Sequence, residues 1–349
     1  MPLEFSTLEL IGAAVALLIA LAILLNAEKI GQLLGVIDHP DDVRKVHARA
    51  TPLVGGIAMM VPLVLWSLAG FAVPAVTQHG YVPLAGVVCG SGAALLGFLD
   101  DRRPISPFLR LFALLALTVL ALWIDPRLLP SAFNWSNEIS TPVAPWLSYI
   151  LVAIGMAGFV NAVNMADGQD GCVAGMFAIW AACMILASGG VTAGLACMML
   201  GTSIAVLAFN IRGKVFLGGA GAYGVTFVFG LLVLRLHNYW GVTAETIIVW
   251  LFVPIIDCLR LMVVRPLQGH SPFEGDRNHF HHRLQRRFGE NKGLAIYLGV
   301  VAISSFTATL VPATAFPVLL LLAGLYVCLM LVTGETATRA VPVKIPRRD

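Results

Sequence analysis

Apolar runs close to the length needed to cross a membrane recur along this chain, and they constrain its fold more than anything else in it. They fall at about 8–27, 53–72, 82–99, 109–124, 146–162, 172–188, 191–209, 220–236, 244–264, 293–311 and 315–333. About 20 helical residues span the roughly 30 Å hydrocarbon layer. Only 12% of the 349 residues are charged, against roughly 25% in soluble domains. The expected fold is therefore an all-α polytopic membrane protein, one domain over 1–349 with about eleven transmembrane helices. Glu4 and Glu9 stand where a secretory leader carries basic residues, so the first run reads as a retained helix. The six cysteines lie in or beside apolar runs without metal-like spacing and read as small core residues.

Basic residues assign the two faces. With the N-terminus outside, loops 28–52, 100–108, 163–171, 210–219 and 265–292 and the C-terminus lie in the cytoplasm. All 22 Lys and Arg except Arg127 and Arg235 then fall in or at the edge of the inner face, as the positive-inside tendency requires. Stretch 125–145 becomes the main external loop. The net charge of +3 is thus explained by topology, and nucleic acid is not an expected partner.

Every polar motif falls on the inner side. Residues 161–171 read Asn-Ala-Val-Asn-Met-Ala-Asp-Gly-Gln-Asp-Gly, repeating Asn161, Asn164, Asp167 and Asp170 every third residue at a membrane boundary. At helical pitch such a ladder runs along one face, and ionisable groups at that depth usually have a task. Asp100 and Asp101 end the third run beside Arg102, Arg103 and Arg110, so that one carboxylate can act on a ligand while its neighbour pairs with an arginine. Lys45 and His47 in the first inner loop fit a phosphate contact and a lipid-headgroup contact equally. Residues 216–224 are dense in glycine, which suits phosphate approach and helix packing alike. In 270–283, His279, His281 and His282 stand beside Arg277 and Arg283; without a neighbouring cysteine an anion or sugar-phosphate clamp is expected rather than zinc.

Together these stretches resemble the polyprenyl-phosphate N-acetylhexosamine-1-phosphate transferase family over nearly the whole chain. The resemblance is carried by Asp38-His39-Pro40 with Arg44-Lys45-Val46-His47, Pro52-Leu53-Val54-Gly55-Gly56, Asp100-Asp101, the 161–171 motif, and Ser271-Pro272-Phe273 leading to Asp276-Arg277-x-His279-x-His281-His282. The His-x-His-His ending is most similar to bacterial enzymes that begin O-antigen, common-antigen or teichoic-acid synthesis. The resemblance implies a multi-pass protein of the bacterial inner membrane with a cytoplasmic active site. It further implies transfer of a sugar-1-phosphate from a UDP-N-acetylhexosamine to undecaprenyl phosphate, releasing UMP. The implied cofactor is Mg²⁺, with Mn²⁺ as a substitute, and a homodimer is left open. By motif, Asp100 and Asp101 are the catalytic candidates and Asn164 a metal ligand. Lys45, His47, Asn161, Asp167, Asp170, Arg277, His279, His281 and His282 are the substrate-binding candidates, with Asp170 directed at uracil.

One position departs from the family. Its usual Gly-Asp-Ala-Gly-Ser run, whose aspartate binds Mg²⁺, is Gly218-Gly219-Ala220-Gly221-Ala222 here. Three readings stay open: a mutated inactive form, a natural non-catalytic member that binds nucleotide or lipid phosphate, or an active variant using Asn164, Asp167 and substrate oxygens. On the family pattern, aspartate at 219 is expected to restore the ligand. A transporter, the remaining alternative, would favour charges at the bilayer midplane, whereas here they cluster at one face; Asp257 and Arg260 are an exception that i, i+3 spacing lets neutralise itself.

Overall fold

The computed structural model describes residues 7–39, 50–72, 83–273 and 276–334, and each of the expected apolar runs lies in a helix there. In chain order these are α1 (Thr7–Leu25), α3 (Gly55–Ala72), α4 (83–102), α5 (Pro107–Ile124), α6 (Pro145–Ala166), α7 (Cys172–Ala187), α8 (Gly190–Asn210), α9 (Ala220–Trp240), α10 (Ala244–Leu267), α12 (Glu290–Leu310) and α13 (Ala315–Gly334). Among the described residues, eight helices are long and apolar enough to cross a membrane. Of the rest, α3 and α7 are shorter apolar helices, and α4 is interrupted by a π turn at Gly86–Gly90. A second π turn, Ala220–Val225, opens α9.

The loops expected on the inner side are more structured than expected. Within 28–52 lies a short amphipathic helix, α2 (Ala27–Leu34), followed by a two-stranded ladder, β1 (Ile37–Asp38) against β2 (Thr51–Pro52). Within 265–292 lies α11 (Phe280–Phe288). Helix α6 continues to Ala166, so the 163–171 motif leaves the helix at Asp167, its C-cap residue. The ladder on one helical face therefore holds for Asn161 and Asn164; Asp170 belongs to the turn that follows.

Two apolar clusters hold the helices together. In the larger, Phe159, Phe177, Trp180 and Phe229 pack ring against ring at 5.1–6.0 Å, and the Trp180 indole N–H donates to the Trp250 carbonyl at 2.9 Å. The smaller gathers Leu114, Leu122, Tyr223 and Phe227 between α5 and α9. Outward faces of α1, α5 and α13 expose Leu18, Phe112 and Leu321, as lipid-facing helices do. Trp123, Trp146, Tyr239 and Trp240 are exposed at helix ends away from the polar motifs. At that end the strand pair β3 (Ala132–Asn134) and β4 (Ser140–Pro142) is docked by Ser136, whose N–H and hydroxyl donate to the buried Glu245 carboxylate at 3.0 Å.

Backbone pairing assembles the opposite end. The Phe216 N–H donates to the Pro52 carbonyl (3.0 Å), the Gly55 N–H to Phe216 (3.0 Å) and the Gly56 N–H to Leu217 (2.7 Å). The 52–56 motif is thus the seat for the turn that leads into α9.

Candidate active site

A cleft of about 3270 Å³ opens at this end, and the motifs expected on the inner face line it. On its walls stand Asp101, Asn161, Asn164, Asp167 and Asp170, together with Arg277, His279 and His282. Lys45 and His47 lie outside the described residues, although β1 and β2 on either side of them contribute Asp38 and Thr51 to the wall.

The two adjacent aspartates have separate surroundings. Asp100 accepts from the Arg110 guanidinium at 2.6 Å and from the Ile105 N–H at 2.7 Å, which ties the end of α4 to the start of α5. Asp101 is exposed to the cleft and accepts the Gly219 N–H at 2.7 Å. That bond shows what Gly219 does. Its Cα faces Gly97 so closely that a Cβ would overlap the Gly97 carbonyl and lie 2.7 Å from its carbon. An aspartate at 219 cannot enter without moving α4 away from α9, which overturns the expectation that it would simply supply a missing ligand.

Asp167, half-buried at the foot of the cleft, has its carboxyl pushed up to about 7, first by burial and then by the charges of Asp101 and Asp170. Asp170 is held by Asn210, whose Nδ2 donates to it at 3.3 Å and to the Val215 carbonyl at 2.9 Å, while its Oδ1 accepts the Gly171 N–H at 2.6 Å. Asn210 thus stitches the 167–171 turn to the 211–215 turn. Asn161 bonds back to the Ala157 carbonyl at 2.8 Å, and Asn164 lines the cleft one turn further on.

The donor set fits Mg²⁺. Among the described residues no three His, Cys, Asp or Glu converge as a metal cage, but Mg²⁺ ordinarily takes one or two carboxylates and completes its shell with water and substrate phosphates. Mutually repelling carboxylates beside an amide offer the hard oxygens it prefers.

The histidine stretch is brought to the same place and is built differently from a cationic clamp. The His279 Nδ1 faces Asp257 at 2.9 Å and its Nε2 faces Arg265 at 3.4 Å, so both ring nitrogens are engaged inside the protein. His281 is buried away from the cleft, and its Nε2 has no hydrogen-bond partner. Both His281 and His282 are pushed down, His282 to about 4, by burial first. Gly168 is what admits them: a Cβ there would stand 2.6 Å from the His281 Nε2 and 3.0 Å from the His282 Nε2. Positive charge at the rim comes instead from Lys29, Arg212, Lys214, Arg277 and Arg286.

Arg265 and several supporting contacts of residues already singled out escaped the sequence reading. Asp257 pairs with Arg260 at 2.8 Å, as the i, i+3 spacing suggested, but it also accepts from the Phe280 N–H and the Tyr326 hydroxyl at 3.1 Å, anchoring α11. Arg265, buried in the last turn of α10, donates to Asp276 at 2.9 Å and to the Pro272 carbonyl at 2.8 Å. Although burial works against it, the Arg265 bond holds the Asp276 carboxyl below its ordinary value. An arginine ending an apolar run was the one visible signal for this latch.

Comparison with known proteins bears on the same residues. The profile described as Glycosyl transferase family 4 matches residues 83–237. An undecaprenyl-phosphate alpha-N-acetylglucosaminyl 1-phosphate transferase of Yersinia pestis is 30% identical over 285 residues, covering 77% of this chain and 74% of its own. The chain belongs to glycosyl transferase family 4. The protein of the same name from Escherichia coli is 30% identical over 275 residues, covering 74% of this chain and 72% of its own. A probable undecaprenyl-phosphate N-acetylglucosaminyl 1-phosphate transferase of Bacillus subtilis is 28% identical over 283 residues, covering 77% and 75%. The protein is accordingly a membrane phosphoglycosyltransferase. The 270–283 histidine stretch lies beyond the profile match, so its part in the site of this transferase rests on geometry.

Proposed function

We propose that this transferase moves an N-acetylhexosamine-1-phosphate from a UDP-sugar to undecaprenyl phosphate and releases UMP, at the cytoplasmic face of a bacterial inner membrane. In the net reaction an oxygen of the lipid phosphate bonds to the sugar-bearing phosphorus and the bond to UMP breaks. The observation that carries this reading is the make-up of the cleft. Carboxylates, amides and basic side chains line it together. It also carries an apolar wall of Ile154, Ile255, Leu259 and Met262 from α6 and α10, suited to an isoprenoid chain. At Gly155 and Gly158 nothing lies within 4 Å of a Cβ, which leaves room along that wall.

Phosphoryl transfer depends on positioning and on neutralising charge. Asp101, presented to the cleft by the Gly219 N–H, orients the acceptor phosphate or takes its proton. Asp100 keeps that aspartate in place through Arg110. Arg277, Arg286, Arg212 and Lys214 meet the pyrophosphate, and Asp170, fixed by Asn210, meets the base. Asn164 and Asp167 would hold Mg²⁺, which supplies Lewis-acid neutralisation of the phosphate oxygens. Eleven crossings with the N-terminus outside and the C-terminus inside fit the basic rim at one end and the exposed tryptophans at the other. The proposed place is the first membrane step of a cell-surface glycan.

A second reading is favoured by one observation. Position 219, where the family pattern has an acid, is a glycine packed against Gly97, which favours a member that binds nucleotide or lipid phosphate without turnover. The test of both is incubation of the purified protein with undecaprenyl phosphate and a panel of UDP-sugars, followed by mass spectrometry of the lipid fraction. A lipid-pyrophosphate sugar supports transfer. Nucleotide binding without such a product supports the second reading.

A further inference from the structure

We propose that Gln285 and Glu290 fix the tautomer of His282, leaving its Nε2 as a bare hydrogen-bond acceptor that receives a hydroxyl or acetamido N–H of the donor sugar. The sugar's part in this rests on the donor substrate proposed above; the tautomer does not.

The assignment follows from which groups can only accept. Glu290 is an exposed carboxylate in the first turn of α12. An ionised carboxylate has no hydrogen to give, so the Gln285 Nε2, 3.0 Å from the Glu290 Oε1, is the donor of that bond. The amide orientation is thereby set, with the Gln285 Oε1 turned toward His282 at 3.4 Å from its Nδ1. An amide oxygen also only accepts, so the His282 Nδ1 carries the hydrogen. In a neutral imidazole the other nitrogen then keeps its lone pair.

The ring is kept neutral by its surroundings. Burial is the first cause, and the charges of Arg277 and Arg286 add to it against the pull of the Gln285 bond. His282 lines the cleft while His281 does not, and its Nε2 stands 3.0 Å from where a Cβ on the cleft-lining Gly168 would be. A lone pair there cannot receive a phosphate oxygen, which is itself an acceptor. The arginines beside it suit the pyrophosphate, and with the base assigned above to Asp170 the sugar's hydroxyls and acetamido N–H are the hydrogens assigned to it, a choice that the comparison of UDP with UDP-N-acetylglucosamine below decides. Gln285 and Glu290 are positioning residues in this account, because they act on substrate only through His282.

The test exploits a swap at an exposed position. In ¹⁵N-histidine-labelled protein reconstituted in nanodiscs, the His282 signals are identified by their loss in His282→Gln. The wild type is expected to show a protonated Nδ1 and a bare Nε2. Glu290→Lys presents a donor in place of an acceptor, turns the Gln285 amide over, and should invert the tautomer to Nε2–H; Gln285→Met should give a mixture. By calorimetry, Glu290→Lys should bind UDP-N-acetylglucosamine about 10-fold more weakly, the size of one hydrogen bond, and UDP unchanged. A wild-type Nε2–H, or a tautomer indifferent to Glu290→Lys, overturns the proposal. Equal weakening for UDP and UDP-N-acetylglucosamine overturns the sugar contact. If the wild type binds neither nucleotide, the donor reading fails while the NMR result still decides the tautomer.

Discussion

Asp100 and Asp101 are adjacent in sequence and both line the cleft, yet Asp100 is tied to Arg110 and the Ile105 N–H while Asp101 accepts the Gly219 N–H. Asp101→Asn should therefore lower kcat by about 10²–10⁴-fold, the usual worth of a general acid–base group, with nucleotide affinity retained. Asp100→Asn should act mainly by loosening the Arg110 tie, lowering the thermal midpoint as well as turnover. Gly219→Asp should likewise lower the midpoint, since overpacking costs about 1–3 kcal/mol and the obstruction here is the Gly97 backbone. A stable Gly219→Asp protein with raised UMP release would contradict that. Asp167 gives a pH prediction. Its folded value, about 7, lies above the ordinary 3.8, so the native state gains stability below about pH 4 and loses it as pH rises to 7. Asp167→Asn should raise the midpoint relative to the parent at pH 8 in Mg²⁺-free buffer, and not at pH 4. Among single residues, the Asp257–Arg260 pair and the pairing of one of the two aspartates with an arginine were legible from spacing. The burial of His281 and the tight contact at Gly219 were not, because each depends on a second helix whose distance no spacing records.

At the scale of elements, the apolar runs located the long helices to within a few residues, since a run of that length has no other way to satisfy its backbone in lipid. The short helices α2 and α11 were missed. Each is amphipathic over only two turns, and its apolar side acquires meaning from what it packs on: Gly31 of α2 lies over Pro52, and Phe280 of α11 lies against Tyr297 and Tyr326. The π turns were equally silent, although 216–224 was marked as glycine-dense. The pairing of α6 with α10 makes its own prediction. If their apolar wall holds the isoprenoid chain, Gly158→Phe should raise the KM for undecaprenyl phosphate about 10-fold, because it fills space that is open at present, and leave UDP-sugar affinity unchanged. An equal effect on both substrates would place the chain elsewhere.

At the scale of the whole molecule, the charge asymmetry that oriented the chain also gathers the 100–101, 161–171, 210–224 and 270–283 motifs at one end, and the fold brings them round a single cleft. Cysteines placed at Glu138 and Arg287, both exposed and at opposite ends, should be labelled from opposite sides of the membrane by an impermeant reagent in a background lacking the native cysteines. Labelling from the same side would end the proposed topology. The central claim is that this one cleft joins a nucleotide-sugar to a lipid phosphate with Gly219 in place. The most direct measurement is UMP release by the purified protein with UDP-N-acetylglucosamine and Mg²⁺, with and without undecaprenyl phosphate, and in parallel for Asp101→Asn. The account predicts release that requires the lipid phosphate and falls by about 10²-fold or more in the variant. Release independent of the lipid, or equal in the two proteins, would contradict it.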